Sequence, residues 1–182
     1  DLQLTGYDDW AAAAAEWQKA YDAVLEAGSD VERGVPTILL LAALVDAQSQ
    51  TKTYDGSTVE SQVRAYGEGV VNALTYGTLF RSDIEARVGG NPSDNTGTDY
   101  ALRVDDTERS LIDTVGGKGT TDRLLAELAG GERVVADEAA RAELAEGSTP
   151  VGAVTDPTFT LHTRADPLVI AQNSTVYGER AS

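Results

Sequence analysis

The chain contains no cysteine, no methionine and a single histidine, His162, among its 182 residues. The missing cysteine excludes disulfides, thiol catalysis and thiolate metal sites, and leaves the redox compartment open. With one imidazole and no thiolate, any metal would have to rely on oxygen ligands. Long apolar runs are also lacking. The longest, Ile38 to Val45, is far too short to cross a bilayer, and nothing at Asp1 resembles a signal peptide, so the expectation is a soluble molecule. Positive charge is scarce: 14 Lys and Arg stand against 30 Asp and Glu, a formal charge of −16. Such a balance repels phosphate backbones and anionic membranes, which argues against nucleic acid and membrane surfaces as partners.

What is present is enough for one domain with a sizeable core, at a hydrophobic share of 41%. The chain opens at Asp1 rather than at a methionine, and the expectation is that something upstream has been removed. Helical signals dominate. Asp8 or Asp9 suits the positive end of a first helix that stops at Gly28. Trp10, Ala14, Trp17, Tyr21, Val24 and Leu25 form its apolar stripe, which reads as core packing in preference to ligand stacking. Pro36 suits the first residue of a second helix, apolar on nearly every side from Thr37 to Val45 and therefore buried all round. The alternative for this stretch is a central strand, but its Leu and Ala favour a helix.

Ser57-Thr-Val-Glu60 has the form of a capping box and predicts a long helix with Val59, Val63, Tyr66, Val70 and Leu74 inward. Gly67 and Gly69 weaken its middle and leave room for another backbone. A second box, Ser82-Asp-Ile-Glu85, opens a shorter helix ending at Gly89-Gly90. Further helices are expected over Asp105 to Val115, Thr121 to Leu128 and Ala136 to Leu144. Between them, residues 91–99 read as a hydrogen-bonded loop. Its oxygen donors Asp94, Asn95 and Asp99 do not have the spacing of a calcium loop. Gly116-Gly-Lys-Gly119 lacks the Gly-Lys-Ser/Thr ending and preceding strand of a phosphate-binding loop, and reads as a helix linker.

The C-terminal stretch differs. Thr158 to Thr163 is a short β-branched and aromatic run, which predicts a strand. Ala165-Asp166-Pro167 breaks it, leaving Asp166 at the strand's carboxyl end, and a last helix begins near Gln172. A single strand has no ladder partners of its own, so it predicts pairing with strands outside this chain.

Leu161-His-Thr-Arg-Ala-Asp-Pro-Leu-Val169 resembles the strand end that carries the acidic member of the catalytic triad in α/β-hydrolases. The continuation from Gln172 to Arg180 and the loop from Val88 to Tyr100 are similar to secreted actinobacterial members of that family, and more distantly to the tannase and feruloyl-esterase group. The resemblance covers about Arg33 to Arg180. It implies an α/β-hydrolase fragment: a helical lid or cap region over residues 1–150, then a strand-turn-helix of the core over 151–182. It further implies a secreted bacterial serine esterase acting on a small-molecule ester, without a cofactor. Asp166 would be the acid that orients a histidine base.

The departures from that pattern are specific. No Gly-x-Ser-x-Gly is present; Asp55-Gly-Ser-Thr-Val59 lacks the second glycine. No histidine follows Asp166, although the triad order requires one. His162 lies on the expected strand and reads as a structural residue. The serine and the base would therefore belong to remaining polypeptide of the same hydrolase, and this chain alone would be inactive. The competing reading is a non-catalytic acidic helical binding module, with the Trp10, Trp17 and Tyr21 face as a partner surface.

Overall fold

A computed structural model describes residues 10–47, 57–148 and 172–181, together with isolated positions between 153 and 161. The first helix, α1 (Trp10–Ser29), ends one residue beyond the expected glycine. The turn after it is organised by Asp30, whose Oδ1 accepts the amides of Glu32 at 3.1 Å and Arg33 at 3.0 Å. Its carbonyl takes the amide of Val35 at 2.8 Å, which starts α2 (Gly34–Leu44). Pro36 is the third helical residue rather than the first, which the first turn tolerates because its amides have no intrahelical partner. At Gly34 a β-carbon would run into the backbone of Ala27, so α2 leaves α1 at very close quarters.

Ile38 to Val45 is helical up to Leu44, as the Leu and Ala content predicts. Ile38, Leu39, Leu40, Ala42 and Ala43 are buried, because α2 meets α1, α3, α5 and α6, but the stretch is not buried all round as expected: Leu41 and Val45 are exposed. The chain leaves α2 through Asp46 in the left-handed region, φ 52°, a conformation that aspartate visits more easily than most residues. This places Ala47, fully buried, against α3 (Val59–Thr75).

The cap of α3 sits one residue later than predicted. Thr58, not Ser57, accepts the amide of Ser61 at 3.1 Å, and the Ser61 hydroxyl accepts the amide of Thr58 at 3.2 Å. Glu60 instead lies in the first turn, where the helix dipole favours a carboxylate. The buried face is Ser61, Ala65, Tyr66, Gly69 and Val70, rotated away from the expected stripe, so that Val63 and Leu74 are only partly buried and Val59 is left exposed. On α1 the inward alanine is Ala13, not Ala14.

The predicted second capping box does not form. The chain is already helical when it reaches Ser82, passing from α3 through a π-helical turn (Tyr76–Phe80) into α4 (Arg81–Val88). Glu85 is taken by Arg81 at 2.6 Å, a charge-assisted bond stronger than a cap. Gly89 ends α4 in the left-handed conformation, φ 75°, as its position predicts.

Residues 91–99 form a hydrogen-bonded loop that is cross-braced to residues 133–137. Asn95 exchanges two bonds with Val134, at 3.0 and 2.6 Å, and Asp94 Oδ2 accepts the amide of Ala136 at 3.2 Å. Arg133 donates to the carbonyls of Asn95 and Thr98 and lies 4.8 Å over the ring of Tyr100. A 3-10 turn (Tyr100–Arg103) then leads to α5 (Asp106–Gly116), opened by an Asp105/Glu108 capping box. Next come α6 (Thr120–Ala129), α7 (Glu138–Ser148), which starts later than expected because Asp137 caps it, and α8 (Gln172–Ala181).

The glycine-rich link between α5 and α6 is held by Asp113. Its carboxylate accepts the amide and hydroxyl of Thr121 at 2.9 and 2.6 Å and the amide of Gly119 at 3.0 Å. Thr121 is fully buried, so its two bonds have no solvent substitute, whereas the Gly119 bond is exposed. Asp113→Ala is expected to cost about 2 kcal/mol, read as a lowered urea midpoint. The Thr121 hydroxyl first, then the two amides, hold the Asp113 carboxyl below its ordinary range. A depressed folded-state value contributes stability above the unfolded value and loses it as pH falls through the folded one. The wild-type advantage should be full at neutral pH and shrink below about pH 4.

The expected α/β-hydrolase fragment is overturned by the architecture. Among the described residues every regular element is helical and there is no strand. Phe159 and Leu161, two described positions in the predicted strand, belong to no regular element and are each 87% exposed. The physical reason is that β-branched and aromatic enrichment measures fit to a half-buried sheet surface. No neighbouring strand among the described residues supplies that surface or the ladder bonds.

Candidate functional site

An open apolar groove in which three helices converge is built on α1 and α3. The indole Nε1 of Trp17 donates to Thr75 Oγ1 at 3.3 Å, so the early part of α1 meets the late part of α3 and the two run antiparallel. Trp17 stacks on Tyr21, ring centroids 5.1 Å apart and planes within 7°. Both rings are half-buried, in keeping with the packing role predicted for them. The side chain of Trp10 lies outside the described residues.

Beyond Tyr21 a groove of about 790 Å³ opens between the helices. Val24, Leu25, Gly28 and Ser29 of α1 form one wall, and Val63, Gly67, Val71 and Asn72 of α3 the other. Val35 and Ile38 of α2 form its floor. Two glycines keep it open. A β-carbon at Gly67 would meet nothing within 4 Å, and one at Gly28 only Ile38 Cδ1 at 3.9 Å. Leu25 is 55% exposed at the lip, a position where a large apolar side chain gains little unless something covers it.

The rim is charged. Asp22 and Glu26 lie on the α1 row beside Leu25 and Ser29, with Asp22 accepting a bond from Gln18 at 2.8 Å. Glu60, Arg64 and Glu68 follow one another at four-residue spacing on α3. Arg64 and Glu68 line the groove itself.

The residues singled out in the sequence separate into three groups. Asp166, the expected triad acid, and His162 lie outside the described residues. The oxygen donors of the 91–99 loop are spent on the chain itself: Asp94 on Thr96 and Ala136, Asn95 on Val134 and Tyr100, Asp99 on the amide of Ala101. These bonds from Thr96 and Ala136 hold the Asp94 carboxyl below its ordinary range. Among the described residues no group of three or more His, Asp or Glu is arranged to hold a metal. Gly116 to Gly119 is the α5–α6 link, as predicted. The groove was not anticipated: Leu25, expected in the core stripe of α1, is exposed at its lip, and Gly28 and Gly67 were its traces in the sequence.

No protein family matches this chain, and neither curated proteins nor solved structures provide a match.

Proposed function

We propose that this chain is a non-catalytic, acidic, helical binding module whose working surface is the α1–α3 groove. The observation that carries this reading is the groove itself: an apolar trough with two side-chain-free positions and an exposed leucine at its lip. A closed helical core has no use for such a trough, whereas a binding surface needs an apolar centre inside a polar rim. The serine-esterase reading rests on the resemblance around Asp166, from Gln172 to Arg180 and over the loop from Val88 to Tyr100, and no chemical group in the groove favours it.

The module reading makes a concrete demand on the isolated chain. It should unfold in a single cooperative urea transition, run as a monomer, and enhance Nile red fluorescence only while folded. Gly67→Leu should abolish the dye signal while leaving the transition intact. A chain that does not fold alone would sink the proposal.

A further inference from the structure

Taking the binding-module reading as its premise, we infer that the groove accepts about two turns of an amphipathic helix from another protein, one that carries Lys or Arg along the edges of its apolar stripe. Three observations carry this. The first is length. The α1 wall runs from Tyr21 to Ser29 and the α3 wall from Val63 to Asn72. At 1.5 Å rise per residue each is roughly 12–14 Å long, the span of apolar residues at i, i+3, i+4 and i+7 on an incoming helix. The second is shape. Two antiparallel helices with a third beneath them offer ridges and a trough of the kind helices pack into, and the vacancies at Gly28 and Gly67 let an incoming backbone come close.

The third observation is charge. Arg64 and Glu68 line the groove; on the helix rows beside it, Asp22 and Glu26 of α1 and Glu60 of α3 add negative charge only. Asp30 lies directly beyond Ser29 at the end of the trough. The chain as a whole carries −16, so its long-range field draws cationic partners and repels anionic ones. A second copy of this chain, equally acidic, is disfavoured by the same field. An extended peptide has no sheet edge to join among the described residues.

The test uses a fluorescently labelled, 14-residue helical peptide of leucine and lysine, leucines on one face, at about 0.15 M salt, read by anisotropy. Its counterpart has glutamate at every lysine. The lysine peptide is expected to bind at least about tenfold tighter than the glutamate peptide, and binding should weaken as salt is raised. Gly67→Leu, which fills the trough, should weaken binding by about tenfold or more. Leu25→Asp separates groove docking from adsorption to an acidic surface. Docking predicts weaker binding although a negative charge has been added; adsorption predicts tighter binding.

Equal affinity for the two peptides, indifference to Gly67→Leu, or tightening by Leu25→Asp would each overturn the inference. So would a concentration-dependent dimer in sedimentation that Gly67→Leu dissociates. The three peptide outcomes leave cooperative folding, the monomeric state and dye uptake untouched, so failure there is distinct from failure of the binding-module reading; the dimer would overturn both.

Discussion

Gly69→Ala is expected to destabilise the fold by about 3 kcal/mol, while the same change two residues earlier, Gly67→Ala, is expected to stabilise it by about 1 kcal/mol. Both glycines lie within α3, where alanine is intrinsically favoured over glycine. Their surroundings decide the sign. A β-carbon at Gly69 would press into the backbone carbonyl of Ala47, which cannot rotate aside as a side chain can. Relief would require α3 and the end of α2 to separate, opening the contact around fully buried Ala47 and nearly buried Val70. At Gly67 the new methyl enters the groove and meets nothing within 4 Å. Urea midpoints of the two variants measured side by side check the prediction. Equal effects at both positions would mean that α2 does not pack on α3 as described.

Arg81→Ala is expected to cost about 3 kcal/mol, more than an exposed ion pair contributes. Glu85 is only 5% exposed, and its carboxylate is met by Arg81 Nε at 2.6 Å. Removing the guanidinium leaves that charge buried without its counter-ion and also breaks the 3.2 Å bond from Arg81 to Asn91 Oδ1. The double variant Arg81→Ala/Glu85→Ala should lose less than Arg81→Ala alone, because it leaves no buried charge behind. A double-mutant cycle in urea measures this. Losses that simply add would show that the pair is solvated and contributes little.

Much of the helical frame was legible because several segments carry redundant signals. Ile38 to Leu44 is apolar on almost every side, so burial and helix propensity agree, and Gly89 marks the end of α4 by a conformation glycine favours. The capping register was harder to read. Ser57/Glu60 and Thr58/Ser61 offer the same kind of box one residue apart, and the second pair forms it, with Ser61, Ala65 and Gly69 turned inward. Ser82 and Glu85 have the spacing of a cap, but a cap needs a chain that is entering a helix, and Phe80 before them is already helical. Thr158 to Thr163 has strand composition, yet composition cannot supply a neighbouring strand. The groove depends on two helices some 40 residues apart in sequence lying side by side over a third, a relation that no local pattern encodes.

The π-helical turn at Tyr76–Phe80 has a geometric consequence for the long helical run it interrupts. Tyr66, Val70, Thr78 and Ser82 all face inward at multiples of four residues, with Glu85 following. In an uninterrupted α-helix each four-residue step overshoots a full turn by about 40°, so a face defined that way would wind away from the core well before Ser82. The wider turn lags behind α-helical rotation and takes back part of that drift. It acts as a phase corrector, keeping α4 aimed at the side of the molecule that α3 had already chosen. Removing one residue from this turn would rotate the Arg81–Glu85 pair out of its setting without changing a single side chain in it.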